Sequence, residues 1–294
     1  LPFRTDFWIV YYNKDIFDRA GVDYPDDSWN HGDYLQAMQQ LTAGQSKFGD
    51  APNWASMFDI SWERIQVHVN GWGGNFVDPS DPMHSLMGNQ EALDAMQWLR
   101  DRIWVDGTMA SPLDVQNLET RHAFIQQRIA MVEDGSWALK DILENAPFRV
   151  GVAALPAGPK RRATLATTDG FAIFAGTQYP EAAWDLLKFL VSRDYGRAMS
   201  RAHLLQPARA SLVDEWIADI RQEYPEQAKD LDVGAFAQGH LQGYSVVAEV
   251  FPNMSDARKL AQAAWEQIYI LGQASVDIMT GVSTEIEAAQ QSEA

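Results

Sequence analysis

The run Phe7-Trp8-Ile9-Val10-Tyr11-Tyr12 is apolar at every position. Both alternating sets of side chains along an extended segment therefore need cover. A strand buried on both faces provides it, whereas a half-exposed antiparallel strand does not. Asn13-Lys14-Asp15 then opens a short helix that stops near Gly21, and residues 31–42 place Tyr34, Leu35, Met38 and Leu41 on one helical face. Between 43 and 89 the texture loosens, and Gly71-Trp72-Gly73-Gly74-Asn75 requires a bend. Asn89 is placed to cap a helix whose stripe is Ala92, Met96, Leu99 and Ile103, closed at Gly107.

Further on, 118–127 reads as helix and 129–132 as a short strand, and Asp134-Gly135-Ser136-Trp137 turns sharply into another helix. Strands are expected at 150–155, stopped by Pro156-Ala157-Gly158-Pro159, and at 171–174. Pro180 suits a first helical position, followed by the stripe Ala183, Leu187, Leu190, Val191. The remainder reads as helix over 211–223, a long helix over 256–280, and a last one opened by a Thr284/Glu287 capping box, with a frayed end. Strands interleaved with helices give an α/β class.

At 294 residues the chain is one large domain or two smaller ones. Forty acids against 23 bases give a net charge of −17, a field that repels phosphate backbones, so no nucleic-acid partner is expected. No apolar run approaches the ~18–20 residues of a membrane helix. Without any cysteine, disulfides, thiolate chemistry and cysteine metal sites are excluded. The opening LPFRTDFWIVYY has no basic n-region, no cleavage site and no initiator methionine, so a processed or cut chain is expected.

Catalytic motifs are nearly absent. The 6 histidines have no metalloprotease spacing, and there is no nucleophile elbow, Walker loop or G-x-G-x-x-G. No catalytic residue, metal or cofactor is assigned. Paired carboxylates remain open, since 40 acids supply many pairs and none is singled out. Among 11 tryptophans, Trp98, Trp104, Trp184, Trp216 and Trp265 follow helical patterns and read as core. Trp54, Trp62, Trp72 and Trp137 fall in loops or at helix starts, where an indole face either stacks on a sugar ring or packs beneath a loop.

The order of segments adds a resemblance. Leu1-Pro2-Phe3, Tyr11-Tyr12-Asn13-Lys14-Asp15-Ile16-Phe17 with Ala20-Gly21, Gly73-Gly74-Asn75-Phe76, Phe124 through Trp137, 150–159, Asp169 through Ile173 with Pro180 through Leu190, and Pro207-Ala208-Arg209 come in sequence. This series resembles the extracellular solute-binding proteins of ABC importers, in the carbohydrate-binding group that includes maltose-binding protein. Asp169 departs from the family pattern, which has glycine there. Family members also carry roughly one more domain, on the order of 100 residues, ahead of the segment that Leu1-Pro2 resembles.

The resemblance implies a periplasmic-binding-protein-like type II fold, with two lobes, a hinge and an interlobe cleft, the first lobe incomplete in this chain. It assigns 1–9 to the hinge crossover, 10–165 to the second lobe, 166–249 to the returning part of the first lobe, and 250–294 to C-terminal helices of the second. It places Trp137 as a stacking platform, Trp72 and Trp62 with Glu63 on cleft loops, Asp6 at the crossover, and Asp169 and Arg209 on the first-lobe side. The implied function is capture of a mono- or oligosaccharide, without catalysis, and delivery to an ABC permease. A periplasmic or extracellular monomer is expected, with a lipoprotein anchor in a segment outside this chain. The alternatives are a hydrolase using cleft carboxylates such as Glu63 and Asp169, and the same fold binding a non-sugar polar solute.

Overall fold

The computed structural model describes residues 1–45 and 54–291. Residues 46–53 of the loosened stretch, and the last three residues, lie outside the described residues. Among the described residues the strands are β1 (Pro2–Asn13), β2 (Trp54–Met57), β3 (Val77–Asp78), β4 (Asp81–Ser85), β5 (Ile129–Gly135), β6 (Val150–Ala154), β7 (Thr164–Gly170) and β8 (Ser245–Val246). β3 and β4 form a separate two-stranded sheet, and the others form one mixed sheet in the order β2-β5-β1-β7-β8, with β6 also on β1.

β1 organises the molecule. Its second half pairs antiparallel with β5 (Trp8 opposite Gly135, Tyr12 opposite Met131) and with β6 (Ile9 opposite Ala154). Its first half pairs instead with β7 (Phe7 opposite Ala166, Arg4 opposite Asp169). The apolar run demands cover on two faces, and it has it. Trp8, Val10 and Tyr12 enter one core, while Ile9 and Tyr11 enter a second on the opposite face. The first core is closed by the helices Lys14–Ala20, His31–Gln45, Trp62–Gly71, Gln90–Trp104 and Met254–Trp265. The second is closed by Thr120–Ile125, Leu139–Asn145, Val213–Glu223 and Ala235–Leu241. Each fully buried large apolar side chain contributes about 1.5–3 kcal/mol.

Several expectations need correction, among them Trp104 and Trp184, read as core but 42% and 43% exposed. The strand expected at 171–174 lies earlier, at Thr164–Gly170, because β1 offers its pairing edge there and Phe171 bonds only back to Leu1. The long helix expected over 256–280 ends in a π turn at Glu266–Ile270, and Gly272 (φ +64°) reverses the chain. The last helix starts at Ile278, so Thr284 lies inside it, its hydroxyl donating to the Thr280 carbonyl. Glu287, expected in the capping box, accepts from the Ser85 amide instead. Helices Trp62–Gly71, Arg193–His203 and Ala235–Leu241 were not legible in the pattern. The helix Pro180–Leu190 fully buries only Leu187 of the stripe, with Ala183, Leu190 and Val191 half-buried, and beside the stripe Leu186 and Phe189 are each 57% exposed.

Candidate functional site

The end of β5 turns through a single 3-10 turn, Ser136–Ala138, into the helix Leu139–Asn145. Trp137 rides on that turn, half-buried, and packs against both cores. Its ring lies over Gly135, where a Cβ would come within 2.1 Å of Cζ3, so only glycine leaves the indole in place. Trp8 meets the ring edge-on, with centroids 6.4 Å apart at 73°. Ser136 Oγ donates to Asp6 Oδ1 at 2.7 Å. Burial pushes the Asp6 carboxyl upward, opposed by the Ser136 hydrogen bond and by Arg4. Arg4 Nε lies 3.4 Å from Asp6 Oδ2 and donates to Asp169 Oδ2 at 2.5 Å.

An open groove of roughly 530 Å³ runs beside Trp137, lined by Arg4, Lys140, Asp141, Glu144, Met199, His203 and Leu205. Two cations of its wall are already engaged. Arg4 holds Asp169 and Asp6, while Lys140 donates to the Ala202 carbonyl at 2.8 Å and lies 3.8 Å from Glu144. Asp141 lies 3.4 Å from Arg121, whose Nε donates to the buried Asp134 at 2.8 Å. Lys140, Asp141 and Glu144 follow Trp137 at three to seven residues, one face of a helix. That spacing is a signal the sequence reading did not use.

Of the expected site residues, Trp137, Asp6 and Asp169 come together through Ser136 and Arg4. The others lie elsewhere. Trp62 is corrected outright: it is 1% exposed, its Nε1 donates to the Glu249 carbonyl, and Phe76, Phe251 and Trp265 surround its ring. No face remains for a ligand. Glu63 pairs with Arg258 of the helix Met254–Trp265. Trp72 is half-buried against His31 (4.6 Å) and Trp98 (5.8 Å). Arg209 gives two donors to the Val191 carbonyl, at 3.1 and 2.7 Å, closing the end of the helix Pro180–Leu190.

Behind the platform lies a buried polar chain. His31 Nδ1 donates to the Ala157 carbonyl at 3.0 Å, since a carbonyl only accepts. His31 Nε2 must then accept from His68 Nδ1 at 3.1 Å, and His68 Nε2 faces Glu133 Oε2 at 3.0 Å. A buried hydrogen bond therefore joins His68 to Glu133. Among the described residues, no group of three or more His, Cys, Asp or Glu is arranged to hold a metal ion, and no helix is long and apolar enough to cross a membrane.

Residues 1–197 match the family model described as bacterial extracellular solute-binding protein. A binding protein of Brucella abortus (strain 2308) is 26% identical over 283 residues, 92% of this chain but 62% of that protein, so the chain spans about three fifths of that relative's length. Among solved structures, a Listeria monocytogenes ABC substrate-binding protein in complex with cycloalternan superposes with a TM-score of 0.83 at 19% identity, over 99% of this chain and 71% of the other. UgpB of Mycobacterium tuberculosis, in complex with glycerophosphocholine, gives 0.77 at 20% identity, over 99% of this chain and 70% of the other. These likenesses establish the periplasmic-binding-protein-like fold, with part of its length outside this chain.

Proposed function

The chain belongs to the bacterial extracellular solute-binding protein family, and from that premise we propose that it forms one wall of a cleft that captures a neutral sugar. The captured mono- or oligosaccharide passes unchanged to the membrane permease of an ABC importer, outside the cytoplasmic membrane. The protein works as a monomer. The observation that carries the reading is Trp137, an indole held on a short turn at the edge of an open groove whose wall also carries Lys140, Asp141 and Glu144. An aromatic face stacks on the C–H face of a pyranose, and neighbouring carboxylates and amides take its hydroxyls.

Charge supports a neutral cargo. The wall's arginine already holds Asp169, and Lys140 stands beside Asp141 and Glu144, so a phosphate entering the groove would meet carboxylates next to each of these cations. A hydroxyl-rich ligand instead accepts from and donates to groups already in place. The hydrolase reading would draw on Glu63 and Asp169, each engaged by an arginine on a different element, and no observation favours it.

The test is a thermal-shift screen against neutral mono-, di- and oligosaccharides and against glycerol phosphates, with each well assayed for new reducing ends. A ligand at ~100 times its Kd adds about 2.7 kcal/mol. A saturable shift with neutral sugars and no turnover is expected. A shift with phosphates alone, or turnover, contradicts the proposal.

A further inference from the structure

Arg64, in the first turn of the helix Trp62–Gly71, is 4% exposed. Its guanidinium lies over the Trp8 ring, 4.0 Å from the centroid, and its Nη2 is 3.7 Å from Asp134 Oδ1. Each contact leads to the platform. Trp8 meets the Trp137 ring edge-on, and Asp134 Oδ1 accepts from the amide of Gly135, the residue on which that ring rests. Arg64 Nη1 and Trp8 Nε1 are both buried and donate to nothing among the described residues.

A buried guanidinium with an orphaned donor is a poor choice if its task is only to fill space. Replacing a whole buried ion pair with apolar side chains is often neutral or stabilising, whereas removing one partner leaves the other charge less compensated. Asp134 would not be stranded, since Arg121 Nε holds its other oxygen at 2.8 Å. Arg64 also balances the buried Glu133 carboxylate, but charge balance alone does not require a guanidinium laid over an indole. What Arg64 supplies is a fixed cation against the Trp8 face, which sets the indole plane, and Trp8 in turn sets the tilt of Trp137.

We infer that Arg64 is a positioning residue that holds the Trp137 platform through Trp8 and Asp134. This rests on the sugar-cleft reading for its consequence in binding, but not for its structural content. The experiment compares wild-type protein with Arg64→Met and Arg64→Lys. It measures melting temperature, sugar affinity, and the near-ultraviolet circular dichroism of Trp137, taken as the difference between each background and its Trp137→Phe partner.

Arg64→Met is expected to melt below the wild-type temperature, because Asp134 and Glu133 lose a counter-charge, to bind sugar about tenfold more weakly, the equivalent of one desolvated cation–π contact, and to lose most of the Trp137 signal. Arg64→Lys, which keeps a cation for the Trp8 face, is expected to recover both. A fall in melting temperature with unchanged affinity and signal would make Arg64 a purely structural group and overturn the inference. Equal impairment of Met and Lys would overturn it as well. If the wild type binds no sugar, the cleft reading fails by itself and the Trp137 signal alone decides. Its dependence on Arg64 sustains the inference, and its independence ends it.

Discussion

His68 Nε2 lies 3.0 Å from Glu133 Oε2, and neither side chain reaches solvent. Glu133 immediately precedes Asp134 and Gly135, so this pair anchors the strand end on which Trp137 rests. Burial pushes the Glu133 carboxyl up, but His68 and then Arg64 outweigh it and hold it below the ordinary glutamate value. His31 is lowered too, but by burial itself: burial, then His68, bring it down to about 3.

Acid is therefore expected to destabilise the fold. Between pH 6.5 and 3 the unfolded chain protonates His31 and the folded chain does not, so stability falls as pH falls. Each pH unit costs about 1.4 kcal/mol for one such proton, or roughly 2 kcal/mol between pH 7 and 5. Glu133 adds a further loss below the ordinary glutamate value, because its folded form resists protonation. Urea melts at the two pH values check this. His31→Gln is expected to flatten the dependence, and an unchanged slope would rule His31 out as its source.

Trp62→Ala is expected to act on stability rather than on recognition. Removing a fully buried indole costs about 3–5 kcal/mol, read as a large drop in denaturation midpoint. The more conservative Trp62→Phe, which stays folded, is expected to keep wild-type sugar affinity. Loss of affinity in that folded variant would return Trp62 to the site.

Gly135→Ala places a methyl group 2.1 Å from a Trp137 ring carbon, so the indole must leave its seat. Affinity is expected to drop tenfold or more, on the scale of about 1.4 kcal/mol per decade, with the Trp137 near-ultraviolet signal altered. An alanine variant that binds as the wild type does would mean the ring contributes nothing where it lies.

The parts of this fold that announce themselves are apolar and periodic. The run from Phe7 to Tyr12 specified a doubly covered strand because every position had to be buried, and Asn13 and Gly21 bracketed the helix between them through an Asn side-chain cap and a left-handed end. The helix Trp62–Gly71 stayed hidden because it is buried on nearly every side, polar residues included, which leaves no apolar stripe to read. Arg64, Gln66, His68 and Asn70 are all buried through specific partners such as the Val247 carbonyl, Glu133 and the Gly74 carbonyl, which no periodicity reveals. β7 was missed for a related reason: Thr167, Thr168 and Asp169 read as a loop until β1 provides their ladder. At the site, Trp137 could be singled out by its turn, but Trp62 could not be separated from it. Both stand at helix starts, and only the arrival of Phe251 and Trp265 from the far end of the chain buries one of them.

The central claim is that Trp137 is the surface on which a neutral sugar stacks. Isothermal titration of the best sugar from the screen into wild-type protein and into Trp137→Ala tests it most directly. The account expects the variant to stay folded and to lose ten- to a hundredfold in affinity, about 1.4–2.7 kcal/mol. A folded Trp137→Ala protein that binds the same sugar with wild-type affinity would contradict it.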